Sequence, residues 1–233
     1  MAGLILEVIV STLDDALEAA RGGADRLEVV RDLSRGGLTP SIDLVRRIQA
    51  EVPLPLRVMV RESDGYSCDS DDERQALVDA VRALDALGVD GIVIGWIADG
   101  HVDQKTLASV LNTAPSLHAT FHRAFDTLPD PVAAFDVLRR HPQIDRVLTG
   151  AGTGTWKSRC ARLEQYARAA GDDLIVLPGG EIDADALRTL ADAGCVAEAH
   201  VGRAARQASA VDGRVSAERI RTLRRAARTL YLG

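Results

Sequence analysis

Aromatic residues make up only 3% of this 233-residue chain, so its core must come from alanine, valine, leucine and isoleucine, within a hydrophobic content of 46%. Lysine is nearly missing: among 28 basic residues only Lys105 and Lys157 are lysine. Both read as helix starts away from the strands, which removes the nucleophile that a Schiff-base mechanism needs. Cysteine is scarce too. Cys68, Cys160 and Cys195 are widely spaced and form no CxxC pair, so neither a disulfide framework nor a zinc site is indicated, and the compartment reads as reducing. No apolar run approaches the roughly 18 residues of a membrane-spanning helix, and no charged leader precedes the first apolar run at Leu4. A basic excess is also absent. A formal charge of −6 offers nothing to phosphate backbones or anionic membranes, so no nucleic acid and no membrane is expected as a partner, and a cytoplasmic location is.

What fills the chain, from Leu4 to Leu230, is eight short apolar runs, each followed by a capped amphipathic stretch. Strands are predicted over 4–10, 26–30, 56–61, 91–97, 117–122, 146–149, 174–178 and 196–201, with helices between them. Thr12 and Ser41 read as N-caps, Gly22-Gly23 as a helix stop, and helix 5 is expected after Pro129 and Pro131. Alternating strand and helix means βαβ units and a parallel sheet. Eight units at about the usual length of 250 residues predict an α/β fold, a (β/α)8 TIM barrel forming a single domain over 1–233. That fold places function at the C-terminal ends of the strands, where the longest loop, 62–72, also lies.

The informative residues break the apolar strand pattern. Glu7, Glu28, Arg61, His122, Arg123, Asp126, Glu198 and His200 all fall in or just after strands. A lone buried carboxylate is costly enough to protonate or find a cation, so these groups are expected to face one another around the barrel axis. Glu7, Glu28 and Glu198 are acid/base candidates, His122 a proton carrier, and Arg123 and Asp126 complete the catalytic set. The alternative is an Arg/Glu/His network that merely closes the top of the core. Arg61, Gly150, Gly152, Gly179, Gly180 and His200 are candidates for holding an anionic substrate, because glycine-rich loops after the last strands of such barrels often bind phosphate through backbone amides. Those glycines also serve if they only permit tight turns. Cys68, in the long loop, is the one thiol on the active side.

Leu6-Glu7-Val8, Gly23-Ala24-Asp25-Arg26-Leu27-Glu28, Gly36-Gly37-Leu38-Thr39-Pro40-Ser41, Thr120-Phe121-His122-Arg123-Ala124-Phe125-Asp126, Val147-Leu148-Thr149-Gly150 and Glu198-Ala199-His200 resemble, in order and nearly end to end, the CutC family of copper homeostasis proteins. The resemblance implies a cytoplasmic barrel, often a homodimer or higher homo-oligomer, linked to copper, with Cys68, His122 and His200 as the available copper ligands. The chain departs from the family pattern at Val30, where a cysteine is common, at Arg61-Glu62-Ser63-Asp64-Gly65-Tyr66-Ser67, and at Thr149-Gly150 and His200-Val201-Gly202, where serines are usual. Cu(I) prefers thiolate or thioether ligands, so the loss at Val30 weighs against tight copper binding. Two functions stand side by side: copper handling, or a lyase, isomerase or hydrolase acting by carboxylate and histidine chemistry on a small anionic or sugar-like molecule.

Overall fold

The computed structural model describes residues 4–228. Its strands among these residues are β1 (Ile5–Val10), β2 (Arg26–Val29), β3 (Leu56–Met59), β4 (Gly91–Ile94), β5 (Ile97–Ala98), β6 (His101–Val102), β7 (His118–Phe121), β8 (Ile144–Thr149), β9 (Ile175–Pro178) and β10 (Glu198–Val201). All but the β5–β6 hairpin are parallel neighbours in the order β10-β1-β2-β3-β4-β7-β8-β9, and a bridge from Gly179 to His200 joins the two ends. The helices α1 (Leu13–Gly22), α2 (Ile42–Glu51), α3 (Asp71–Leu87), α4 (Gln104–Leu111), α5 (Pro131–Leu138), α6 (Trp156–Ala170), α7 (Ala184–Ala193) and α8 (Ala217–Arg228) alternate with the barrel strands. This is the expected (β/α)8 TIM barrel. Leu230, the last residue of the apolar pattern, lies outside the described residues.

Local chemistry sets the element ends. Side chains of Thr12, Ser41, Ser70, Asp103, Thr155 and Asp183 each accept a hydrogen bond from an amide in the first turn of the following helix, and Gly23 ends α1 at φ 92°, a left-handed conformation that suits glycine. Most expected boundaries shift by one or two residues, and three changes have a clear local cause. The strand predicted over 91–97 stops at Ile94, and the chain then makes the β5–β6 hairpin around Asp99-Gly100, both at positive φ. His122 leaves β7 because its Nδ1 accepts from the Ala124 amide and caps a 3-10 turn, Arg123–Thr127. Pro131 is the first residue of α5 rather than a residue ahead of it, since the N–H it lacks would have had no helical partner there.

Outward-facing strand residues such as Leu6, Val8, Leu27, Val29, Val58 and Ile92 pack with the helices in one aliphatic shell, as the composition requires. The barrel interior differs from that expectation. Ile9, Val30, Met59 and Val93 form a thin apolar layer inside. Two residues earlier on three of the same strands stand Glu7, Glu28 and Arg57, and β2 begins with a fourth charged residue, Arg26, two before Glu28. Side chains two apart share a face, so these charges lie one or two layers deeper in the barrel. Arg26 ties Glu7 to Glu198 (2.6 Å to Glu198), Arg146 grips Glu198 (2.8 Å), and Arg57 reaches Asp90 (2.6 Å) and, in a fork, Asp145 (3.0 and 2.8 Å). Gly91 makes room for the last of these, because a Cβ there would stand 2.8 Å from an Arg57 nitrogen. With few aromatics available, long arginine stems fill the interior volume, and each buried ion then needs the partner it is given.

Candidate active site

Strand register builds the site around Glu7, whose neighbours across the ladders are His200 in β10 and Arg26 in β2. One Glu7 oxygen takes the Arg26 Nε–H; the other lies 2.8 Å from His200 Nδ1. Glu28 brings its Oε2 to 3.5 Å from the same His200 nitrogen. All three residues are buried. Burial pushes the Glu7 carboxyl up, but the His200 hydrogen bond and the Arg26 charge overcome it and hold the group down at about 2. Glu28 has no such hydrogen bond: burial, with Glu7 nearby, outweighs the attraction of His200, Arg26 and Arg61 and raises it to about 7. Burial pulls His200 down, yet Glu28 and Glu7 outweigh it and raise His200 above its ordinary value. The cluster is therefore a histidine whose protonated form is favoured, oriented by one firmly ionised carboxylate, beside a second carboxyl that exchanges its proton near neutrality.

Above the cluster opens a cavity of about 440 Å³, bordered by Ile9, Gly36, Arg123, Arg159, His200 and Arg203 among others. Asp126 aims Arg123, accepting from its Nε at 2.9 Å while also taking the Thr149 hydroxyl (2.6 Å) and the Gly150 amide (2.9 Å). Arg159 lies on the Trp156 ring and donates to the carbonyls of Gly154 (2.9 Å) and Gly150 (3.2 Å). The glycine loops play a different part from the one expected. The Gly150 amide is spent on Asp126 and the Gly179 amide on the Thr149 carbonyl (2.9 Å), so neither is offered to an anion. Gly152 and Gly180 take positive φ (74° and 85°), and a Cβ on Gly180 would stand 3.1 Å from an Arg123 nitrogen. Glycine here admits the arginine, and the arginine supplies the charge. A depression of similar size between α7 and α8, around Asp183, Arg188, Glu218 and Arg219, shares no lining residue with this cavity.

The other predicted residues separate from this cluster. Glu198 is closed off: Arg146 and Arg26 occupy its oxygens, and although burial opposes ionisation, these contacts lower its pKa. It holds the barrel floor instead of meeting imidazole. His122 faces Arg61 and Tyr66 across the mouth; its ring centre is 5.2 Å from that of Tyr66, and burial plus the Arg61 charge push it down to about 3, so it stays neutral. Arg61 stands 5.6 Å over the Tyr66 ring and donates to the Arg35 carbonyl. Cys68 sits beside the start of α3, 3.7 Å from the Ser70 carbonyl, outside the mouth cavity, with its thiol raised mainly by burial. Cys68, His122 and His200 do not converge. Among the described residues the group with ligand reach of one point is Glu7, Glu28 and His200. Its donors are carboxylate oxygens and one imidazole nitrogen, a harder set than the thiolates and thioethers that select Cu(I), and Glu7 and His200 already satisfy each other at 2.8 Å.

Sequence reading missed Arg26, Tyr66, Arg159 and Arg203. Arg159 left a trace: the first turn of α6 carries Lys157 and Arg159 and no acid, the reverse of what a helix dipole favours. The comparisons with known proteins agree with the resemblance. The model of the CutC family matches residues 4–205. The human copper homeostasis protein cutC homolog is 33% identical over 85% of this chain and 72% of its own length, and a CutC family protein of Mesorhizobium japonicum is 37% identical over 77% of this chain and 69% of its own. The crystal structure of a copper homeostasis protein CutC from Streptococcus agalactiae superposes with a TM-score of 0.78 at 21% identity, covering 84% of this chain and 97% of that one.

Proposed function

Because the chain belongs to the CutC family, we propose that it serves copper homeostasis from the cytoplasm, as a barrel that binds a small anionic molecule and moves a proton on it rather than as a thiol-based copper carrier. The observation that carries this reading is the pairing of two halves of one site: His200 borders the cavity with Arg123, Arg159 and Arg203, while its Nδ1 is held from beneath by Glu7. An imidazole oriented through one nitrogen presents the other for general acid or base work. Three guanidinium groups against the single carboxylate of Glu181 leave the cavity cationic and favour an anion, such as a phosphate ester. Ile9 at the cavity edge and the apolar layer to which it belongs limit water beneath the reacting end. The chemistry that fits is an isomerase, lyase or hydrolase step in which His200 donates or removes a proton. A cytoplasmic setting agrees with three free cysteines and with the lack, among the described residues, of any helix long and apolar enough to cross a membrane.

Two titrations test this reading. Inorganic phosphate, followed by calorimetry, is expected to bind and to lose at least about tenfold in affinity in Arg123→Ser, a change on the order of 1.4 kcal/mol. Cu(I) presented with a competing chelator is expected to bind no better in the wild type than in Cys68→Ser. Stoichiometric Cu(I) capture abolished by Cys68→Ser, with no phosphate binding, would reverse the proposal.

A further inference from the structure

The lining of the mouth cavity changes character from one side to the other. The segments that follow β7, β8 and β9 give it polar side chains: Arg123, Thr153, Arg159 and Glu181. His200, on β10, stands at the seam, with Arg203 in the turn that follows it. Beyond the seam, β1 and the loop after β2 contribute Ile9 and Leu33, and Gly36 adds no side chain; Val211, from the connection between β10 and α8, completes an apolar wall. Ile9 is buried, whereas Leu33 and Val211 keep part of their surface uncovered.

Both loops that carry this wall are held in place. Arg31 and Leu38 exchange backbone hydrogen bonds (2.9 and 2.8 Å) and close the segment between them, in which Asp32, Gly36 and Gly37 take positive φ. Leu33 opens the 3-10 turn Leu33–Arg35 inside that closed loop and packs on the interior layer of Ile9, Val30, Met59 and Val93. The Val211 loop is closed where the Gln207 amide donates to the Arg214 carbonyl at 2.8 Å. Buried Arg206 pins it, donating to Asp15 (3.1 Å), to the Gly213 carbonyl (2.8 Å) and to the Ile9 carbonyl (3.1 Å). One guanidinium thus ties the Val211 loop to the strand that bears Ile9. The apolar wall stands ready before a ligand arrives, so little ordering opposes binding there.

A cavity divided in this way sorts its ligands by polarity. Hydroxyl groups laid on Ile9, Leu33 and Val211 would give up water without finding a partner, whereas a hydrocarbon gains by covering them. At about 440 Å³ the cavity is of the size usual for small-molecule sites, so an anionic head among the arginines leaves room for a ring-sized group on the opposite wall. Resting on the anion-binding reading of the mouth, we propose that the ligand is a phosphate ester whose remainder is apolar and poor in hydroxyls, of the aryl or alkenyl class, seated on Ile9, Leu33 and Val211, rather than a sugar phosphate.

Calorimetry with methylphosphonate, phenylphosphonate and ribose 5-phosphate tests this. Phenylphosphonate is expected to bind about tenfold more tightly than methylphosphonate, a gain that needs only roughly 55 Å² of apolar surface withdrawn from water, and ribose 5-phosphate no more tightly than methylphosphonate. Leu33→Ser and Val211→Ser, each at a loop side chain that is already partly exposed, are expected to cut the phenyl gain at least about threefold. Methylphosphonate affinity should stay within about twofold in both, which separates loss of the apolar wall from loss of structure. Equal binding of the two phosphonates, ribose 5-phosphate binding as tightly as phenylphosphonate, or a phenyl gain that survives both substitutions overturns the apolar seat while leaving the phosphate site standing. Failure of all three compounds to bind removes the anion site and this inference with it.

Discussion

Replacing Arg26 by methionine is expected to destabilise the protein by about 3–5 kcal/mol, the range found when one partner of a buried ion pair is removed. Domains of ordinary stability have only about 5–15 kcal/mol in total, so most of the molecule's margin is at stake. Arg26 is 4% exposed and is the link between Glu7 and Glu198, carboxylates from nearly opposite ends of the chain. Methionine retains much of the stem's volume, so the loss measures charge rather than a cavity. The pH dependence has a defined sign. In the wild type Glu7 is held below its ordinary 4.5, so its contribution is present above that value and fades as pH falls toward about 2. Without Arg26, Glu7 and Glu198 shift upward, and the deficit of the variant should shrink as they protonate. Urea midpoints at pH 7 and pH 5 check both points, and a second change, Glu7→Gln, should restore part of the loss at pH 7, because Glu198 keeps Arg146 whereas Glu7 loses its arginine. An unchanged midpoint would mean that the interior ion network contributes nothing.

Glu28→Gln is expected to act in the other direction and to stabilise the protein at alkaline pH. The folded molecule raises Glu28 from 4.5 to about 7, so between those values it keeps a proton that the unfolded chain has released. Folding is progressively penalised across that window, by on the order of 3 kcal/mol for a shift of this size. Glutamine never ionises and escapes the penalty, so the variant should exceed the wild type at pH 8 by about 2 kcal/mol and match it near pH 4.5. His200 adds a slope of the same sign, because a raised histidine contributes fully below 6.5 and loses its contribution as pH climbs through its folded value. The variant keeps part of that slope. Urea curves at pH 4.5 and 8 for both proteins decide the matter, and parallel curves would show that Glu28 is ionised throughout.

Much of this was legible in the chain itself. Periodicity located all eight barrel strands, and charged residues inside apolar runs marked Glu7, Glu28, Glu198 and His200 as interior groups. Pairing was less accessible, because it depends on register. Glu7 meets both Arg26 and His200 through ladders whose alignment is fixed by twist and stagger in the closed sheet, not by spacing along the sequence. The same applies to His122, which alternation placed on the correct face but whose distance from His200 follows from the strands between them. Arg26 went unnoticed as a site residue because it opens a strand within a phrase that reads as turn punctuation. The mouth arginines, Arg159 and Arg203, come from loops and a helix start, where alternation carries no information.

The protonation of His200 and its response to phosphate bear most directly on the account. Nitrogen-15 NMR of the histidine rings over a pH series should show His200 protonating at higher pH than an ordinary histidine and, in a titration with inorganic phosphate at pH 7, its Nε2 resonance moving with saturation, while His122 stays neutral. A His200 that protonates only below the ordinary histidine range, or a His200 signal indifferent to phosphate, would contradict the reading of the mouth as an acid/base site for an anion.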